Sequence, residues 1–187
     1  QVYSSAASDV YKRQQVTQRF DSVTPDMEDP KELKKFLELI RSLSAKGAIL
    51  AYHDRSDGGL AAALCEMMFA SHVGVEIVAD ALVSKDRTLN QALFNEELGA
   101  VIQVARGRAA EVERDFEAAG MGWSLKYLGN LTQDDHLNIY LEGKCVLSED
   151  RVDLQKAWNE VSWQIARMRD NPECADSEYA LISDKHN

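Results

Sequence analysis

Apolar positions along the chain follow two periods in turn, and the switching between them lays out most of the elements. From Lys31 to Lys46, Leu33, Phe36, Leu37, Ile40 and Leu43 recur every three or four residues, with Asp29 and Pro30 as a start signal and Gly47 as a stop. That pattern predicts an amphipathic helix. "AILAY", Ala48 to Tyr52, is a short apolar run of the kind that forms a buried strand. Helical spacing returns at Leu60, Leu64, Met67 and Met68, ends at Gly74, and gives way to a strand over "VEIVA". A short helix at Leu89 to Phe94 precedes "GAVIQVA", a strand signal rich in β-branched residues.

Arg108 to Ala119 reads as a helix, Val112 and Phe116 inward, closed by Gly120. "SLKYLG", "LNIYLEG" and "CVLSE" read as three short strands, the last two joined through Glu142, Gly143 and Lys144 as a hairpin. Val152 to Arg169 reads as a helix carrying Leu154, Trp158, Val161, Ile165 and Met168, and residues 171–187 read as a polar linker. Such alternation predicts an α/β layered domain over residues 15–170, a mixed β-sheet covered by helices with an antiparallel hairpin at one side. "QVYSSAASDVYKRQ", residues 1–14, has no helical period and is set aside as a non-native or disordered leader.

The totals narrow the function more than the fold. At 187 residues the chain is long enough to bury a real core, and its 45% apolar content is globular. A net charge of -10, with no clustering of Lys and Arg, argues against a nucleic-acid partner. The longest apolar stretch, Leu60 to Ala70, is broken by Glu66, so no membrane span is expected. Cys65, Cys145 and Cys174 are odd in number, far apart and without a CxxC pair, which fits reduced thiols and a cytoplasmic location.

The chemistry concentrates in "YHDRSDGGLAAALCEMMFA", Tyr52 to Ala70, where a strand hands over to a helix. Backbone N–H groups at a helix start lack intrahelical partners and carry partial positive charge, so such a turn attracts anions. Gly58 and Gly59 leave room for a phosphate to approach the backbone, and Ser56 or Asp57 can cap the helix. Asp54 supplies a hard oxygen ligand of the kind Mg²⁺ uses beside nucleotide phosphates. The same residues also make ordinary turn chemistry, with Asp57 as a structural cap and Arg55 paired to a neighbouring carboxylate. His53 is an acid-base candidate or a satisfied structural imidazole.

Other candidates are weaker. "FNEELG", Phe94 to Gly99, sets Asn95, Glu96 and Glu97 before a strand, where the carboxylates serve a ligand or a solvated helix end. Cys65 lies among apolar helix neighbours and reads as a packed thiol. Core packing accounts for Trp158 and a domain interface for Trp163. His72 and His136 have no partner at ligand spacing.

"HDRSDGGLAAALCEM", "LFNEELGAVIQV" and "SWQIARMRDNPECADSEY", in that order, resemble the phosphoribosylformylglycinamidine synthase family in its large, single-chain form. The resemblance implies the C-terminal subdomain of the second of two halves, each similar to aminoimidazole ribonucleotide synthase. It also implies an activity, the conversion of formylglycinamide ribonucleotide, glutamine and ATP to formylglycinamidine ribonucleotide, glutamate, ADP and phosphate. Asp54 matches a family position that ligates Mg²⁺, and Ser56 one that contacts the nucleotide; Asp57, Gly58 and Gly59 match the motif. The remaining ligands for Mg²⁺ and ATP or ADP are expected on other synthetase subdomains of the same protein. Residues 171–187 would lead to a glutaminase domain, none of the three cysteines is its nucleophile, and the isolated chain is expected to be inactive. Other readings are a related ATP enzyme, such as aminoimidazole ribonucleotide synthase or selenophosphate synthetase, and a non-catalytic small-molecule-binding or dimerisation module.

Overall fold

A computed structural model describes residues 29–85 and 87–184. Its elements run α1 (Pro30–Ala45), β1 (Ile49–Asp54), α2 (Gly59–Ser71), β2 (Gly74–Val78), α3 (Leu89–Phe94), β3 (Ala100–Val104), α4 (Ala109–Ala118), β4 (Gly129–Thr132), β5 (His136–Leu141), β6 (Lys144–Asp150), α5 (Arg151–Arg169) and α6 (Pro172–Ala180). The class is mixed α/β, as the periodicity predicts. The chain divides into two compact units, one up to Leu64 and over Ala81–Leu128, the other Cys65–Asp80 and from Gly129 onward.

In the first unit β1 and β3 pair antiparallel, Tyr52 opposite Ile102 and Asp54 opposite Ala100. A core of Phe36, Leu39, Leu43, Ala48, Ala100, Val112, Phe116 and Met121 joins this sheet to α1 and α4. Both helices begin and end as their sequences dictate. The Asp29 carboxylate accepts the Lys31 N–H at 2.9 Å and Pro30 fills the first turn of α1. At its end Gly47 takes φ 62°, the Ala48 N–H donates to the Leu43 carbonyl at 2.9 Å, and the Gly47 N–H to Ser44 at 2.9 Å. Gly120, φ 70°, closes α4 the same way, Met121 donating to Phe116 at 2.8 Å. Each closure drops the following apolar residue into the core beside its carbonyl partner. β1 departs from the buried strand expected of it: its exposure alternates, Leu50 and Tyr52 being 60% and 43% exposed, because a two-stranded antiparallel pair leaves part of its surface uncovered.

The second unit holds a four-stranded mixed sheet in the order β4-β2-β5-β6, with β2 and β5 parallel. Val75, Ile77, Leu137 and Ile139 share its buried face. The β5–β6 hairpin turns through Glu142 (φ 51°) and Gly143 (φ 72°), the pair of positive φ values that a tight two-residue hairpin needs. Arg151, 1% exposed, opens α5 and grips Asp135 with Nε at 2.5 Å and Nη2 at 3.1 Å.

Three sequence expectations are corrected. "SLKYLG" is not a strand: buried Ser124 closes a short 3₁₀ turn with its hydroxyl on the Met121 carbonyl at 2.7 Å, and the strand starts only at Gly129, where a side chain would overlap the Glu76 carbonyl. The tail read as a linker contains α6, begun by Pro172 with the Asn171 side chain capping it. Core packing does not account for Trp158, and Trp163 packs within its own unit. Trp163 holds α6, stacked on Tyr179 at 4.3 Å with its Nε1–H donating to Asp176 at 2.9 Å. Trp158 on α5 is 59% exposed and lies outside the core, its ring 6.0 Å from that of Phe69.

Candidate functional site

The turn from β1 into α2 sorts its side chains by direction. Asp54, Ser56 and Asp57 are exposed, whereas Arg55 is only 4% exposed and Gly58 and Gly59 are buried. The three predicted oxygen-bearing residues are therefore presented to solvent from one short stretch. Arg55 accounts for that arrangement. Its backbone N–H donates to the Gly99 carbonyl at 2.9 Å, its Nε–H to the Glu97 carbonyl at 2.7 Å and its Nη2 to Glu97 Oε2 at 3.4 Å. The pairing of Arg55 with a neighbouring carboxylate is thus realised, and by Glu97.

The acidic segment is no solvated helix end. Glu97 is 3% exposed, and Arg87 Nη2 lies 3.7 Å from the same Oε2 that faces Arg55. Burial pulls Arg55 down to about 10, with Glu97 opposing that shift and the positive charge of Arg87 adding to it. It remains charged at neutral pH. Among the described residues Arg55 Nη1, Arg87 Nε and both side-chain polar atoms of fully buried Asn95 find no hydrogen-bond partner, a costly arrangement in a desolvated place. Glu96 reaches the turn as well, its Oε1 accepting the Gly58 N–H at 3.1 Å.

Both glycines sit at positive φ, 83° and 69°, where side chains are disfavoured. What approaches Gly59 is the protein's own backbone: an added Cβ would stand 2.6 Å from the Asn95 carbonyl oxygen and 2.8 Å from that of Leu93. An added Cβ on Gly58 would meet that of Ala62 at 2.7 Å. The Gly59 N–H is spent on the Ser56 carbonyl at 2.9 Å. The expectation that these glycines make room for a phosphate thus meets a different reason for them, the packing of residues 93–95 on the helix start.

His53 is half-buried, with Nδ1 2.6 Å from the Asp54 carbonyl oxygen. A carbonyl only accepts, so Nδ1 carries the proton and Nε2 is the basic nitrogen of the neutral ring. Cys65 is half-buried and its thiol is pushed up to about 11 by burial, with Glu66 adding to the effect. That is the setting of a packed thiol and not of a nucleophile. Arg87 and Asn95 were not singled out for this role by the sequence, since "SKDRT" carries no motif and Asn95 reads there only as part of an acidic run.

Among the described residues no three His, Cys, Asp or Glu side chains gather closely enough to hold a metal ion by themselves. Asp54, Ser56 and Asp57 nevertheless offer the hard oxygens that suit Mg²⁺, an ion that commonly takes one or two carboxylates and completes its shell with water and phosphate oxygens. The residues present fit part of such a site. No helix among the described residues is long and apolar enough to cross a membrane.

The acidic, glycine-bearing strand-to-helix turn, joined to a second acidic segment, is the candidate site of this mixed α/β chain. The model described as "AIR synthase related protein, C-terminal domain" matches residues 4–142, and the chain belongs to that family. Among solved structures it is similar to Thermotoga maritima PurL complexed with FGAR, at 16% identity and TM-score 0.59, over 68% of this chain and 21% of that one. PurLQS from Thermotoga maritima matches at 15% identity and TM-score 0.59 over 74% and 23%. A HypE-HypF complex matches at 18% identity and TM-score 0.54 over 78% of this chain and 49% of that one. These likenesses establish the fold. The chain spans roughly a fifth of the length of the PurL structures it matches.

Proposed function

We propose that the chain is the C-terminal subdomain of the second synthase-like half of a large, single-chain phosphoribosylformylglycinamidine synthase, and that its Asp54–Gly59 turn forms part of a Mg-nucleotide site. The observation that carries this reading is the joining of the two motifs: "HDRSDGG" and "FNEELG" are bound to each other through Arg55, Glu97, Glu96 and Gly58, and the union leaves Asp54 and Ser56 facing outward. Bound Mg²⁺ would supply charge neutralisation on the nucleotide's phosphates. Asp54 would hold the ion, Ser56 would hydrogen-bond the nucleotide, and Asp57 with the glycines would shape the turn. His53 has its Nδ1 donating to the Asp54 carbonyl.

The complete enzyme would convert formylglycinamide ribonucleotide, glutamine and ATP to formylglycinamidine ribonucleotide, glutamate, ADP and phosphate. Its other synthetase subdomains and a glutaminase domain would be the partners, in the cytoplasm. Support comes from PurL structures solved with ATP and with ADP. A second reading, a HypE-type member of the same superfamily, is favoured by the 78% of this chain that the HypE-HypF match covers. Ammonia-dependent ADP release with formylglycinamide ribonucleotide as acceptor, assayed in the complete protein, separates the two. Release without dependence on that ribonucleotide would contradict the synthase reading. The isolated chain should show no turnover, and measurable turnover would contradict the division of the site between subdomains.

A further inference from the structure

Resting on that reading of the turn, we infer that Arg55 is the positioning residue of the site, acting through Asp54 and Ser56 on either side of it. Asp54 and Ser56 are both exposed and flank Arg55, which is buried and held by three bonds of different kinds. Its backbone N–H is fixed at 2.9 Å to Gly99, continuing the β1–β3 pairing one step past Asp54 and Ala100. Its Nε–H is fixed at 2.7 Å to the Glu97 carbonyl, and Nη2 reaches the Glu97 carboxylate at 3.4 Å. The planar fork of Arg55 serves the carbonyl and the carboxylate of one residue in a fixed geometry that the freely rotating ammonium of a lysine does not reproduce. The buried cation is itself weakly compensated, because Arg87 shares the same carboxylate oxygen and Arg55 Nη1 has no partner among the described residues. The chain therefore keeps a costly buried charge between the two exposed candidates, Asp54 and Ser56. A hydrophobic residue there would satisfy packing but could not hold the turn to residues 97–99.

The test uses the 187-residue chain and two variants, Arg55→Lys and Glu97→Gln, with Mn²⁺ alone as the probe. Paramagnetic broadening of the Asp54 and Ser56 amide signals reports the metal, and amide hydrogen exchange reports the turn. In Arg55→Lys the Mn²⁺ concentration for half-broadening should rise about tenfold, the loss expected of a displaced ligand. Exchange at residues 54–59 should accelerate at least as much, while Val101 and Phe116 keep their protection. Glu97→Gln, which retains the backbone acceptor, should shift both in the same direction by less. Unchanged half-broadening with an intact turn, or acceleration spread evenly over the chain, would overturn the positioning role. Absence of selective broadening in the wild type would refute the metal reading instead, and turn-confined exchange in Arg55→Lys would then still uphold the positioning role.

Discussion

Replacing Gly59 by alanine tests why the turn carries its second glycine, and Gly120 provides an internal control. Both residues hold nearly the same positive φ, 69° and 70°. A non-glycine residue there costs roughly 1–2 kcal/mol. The gain from a stiffer unfolded chain, roughly 0.4–1 kcal/mol, is common to both and cancels in the comparison. The sites differ in their surroundings: nothing lies within 4 Å of a Cβ on Gly120, whereas a Cβ on Gly59 meets the carbonyls of Asn95 at 2.6 Å and Leu93 at 2.8 Å. Those are backbone atoms and cannot swing away, so crowding adds roughly 1–3 kcal/mol. Gly59→Ala should therefore lose about 1–3 kcal/mol more than Gly120→Ala, which is roughly 2–12 °C in Tm for a chain of this size. Urea denaturation followed by far-UV circular dichroism measures both variants without any ligand. Equal losses would refute the account, and would mean that Gly59 is kept for something that approaches from outside.

Two further outcomes probe the buried groups. With its thiol pushed up to about 11, Cys65 should be alkylated by iodoacetamide at pH 8 about a hundredfold more slowly than a freely exposed thiol, with Cys145 and Cys174 modified first. Since the folded thiol ionises later than the unfolded one, stability should fall as pH climbs from about 9 toward 11; equal labelling of all three at pH 8 would contradict this burial. Arg151→Met removes the cation that holds Asp135, a group with 21% of its side chain exposed, and should cost about 3 kcal/mol by urea denaturation read from Trp fluorescence. A loss below about 1 kcal/mol would show the pair to be solvent-screened.

Much of this molecule is legible from period and punctuation. α1 and α4 announce themselves because their apolar faces, their closing glycines and the residue dropped into the core all agree, and the β5–β6 hairpin is announced by Glu142 and Gly143. Failures occur where packing at a distance decides. Leu125 to Leu128 look like a strand, yet the strand waits for Gly129, because only a residue without a side chain can lie against Glu76. α6 escapes notice because nine residues with little apolar patterning become a helix by docking Tyr179 and Asp176 on Trp163. In the turn, the exposed candidates Asp54, Ser56 and Asp57 could be named from residue type alone. That Arg55 pairs with a carboxylate could be read as well, but not that Glu97 supplies it, nor that Arg87 shares it or that the Asn95 backbone packs on Gly59, since these depend on residues distant in the sequence.

The central claim is that Asp54 presents its carboxylate to a Mg-nucleotide. The most direct measurement is calorimetric titration of ADP, with and without Mg²⁺, into the complete protein bearing Asp54→Asn, beside the wild type. Loss of one carboxylate ligand should lower the Mg²⁺-dependent affinity about tenfold or more while leaving binding without Mg²⁺ little changed. Identical Mg²⁺-dependent affinity in the two proteins would contradict the assignment.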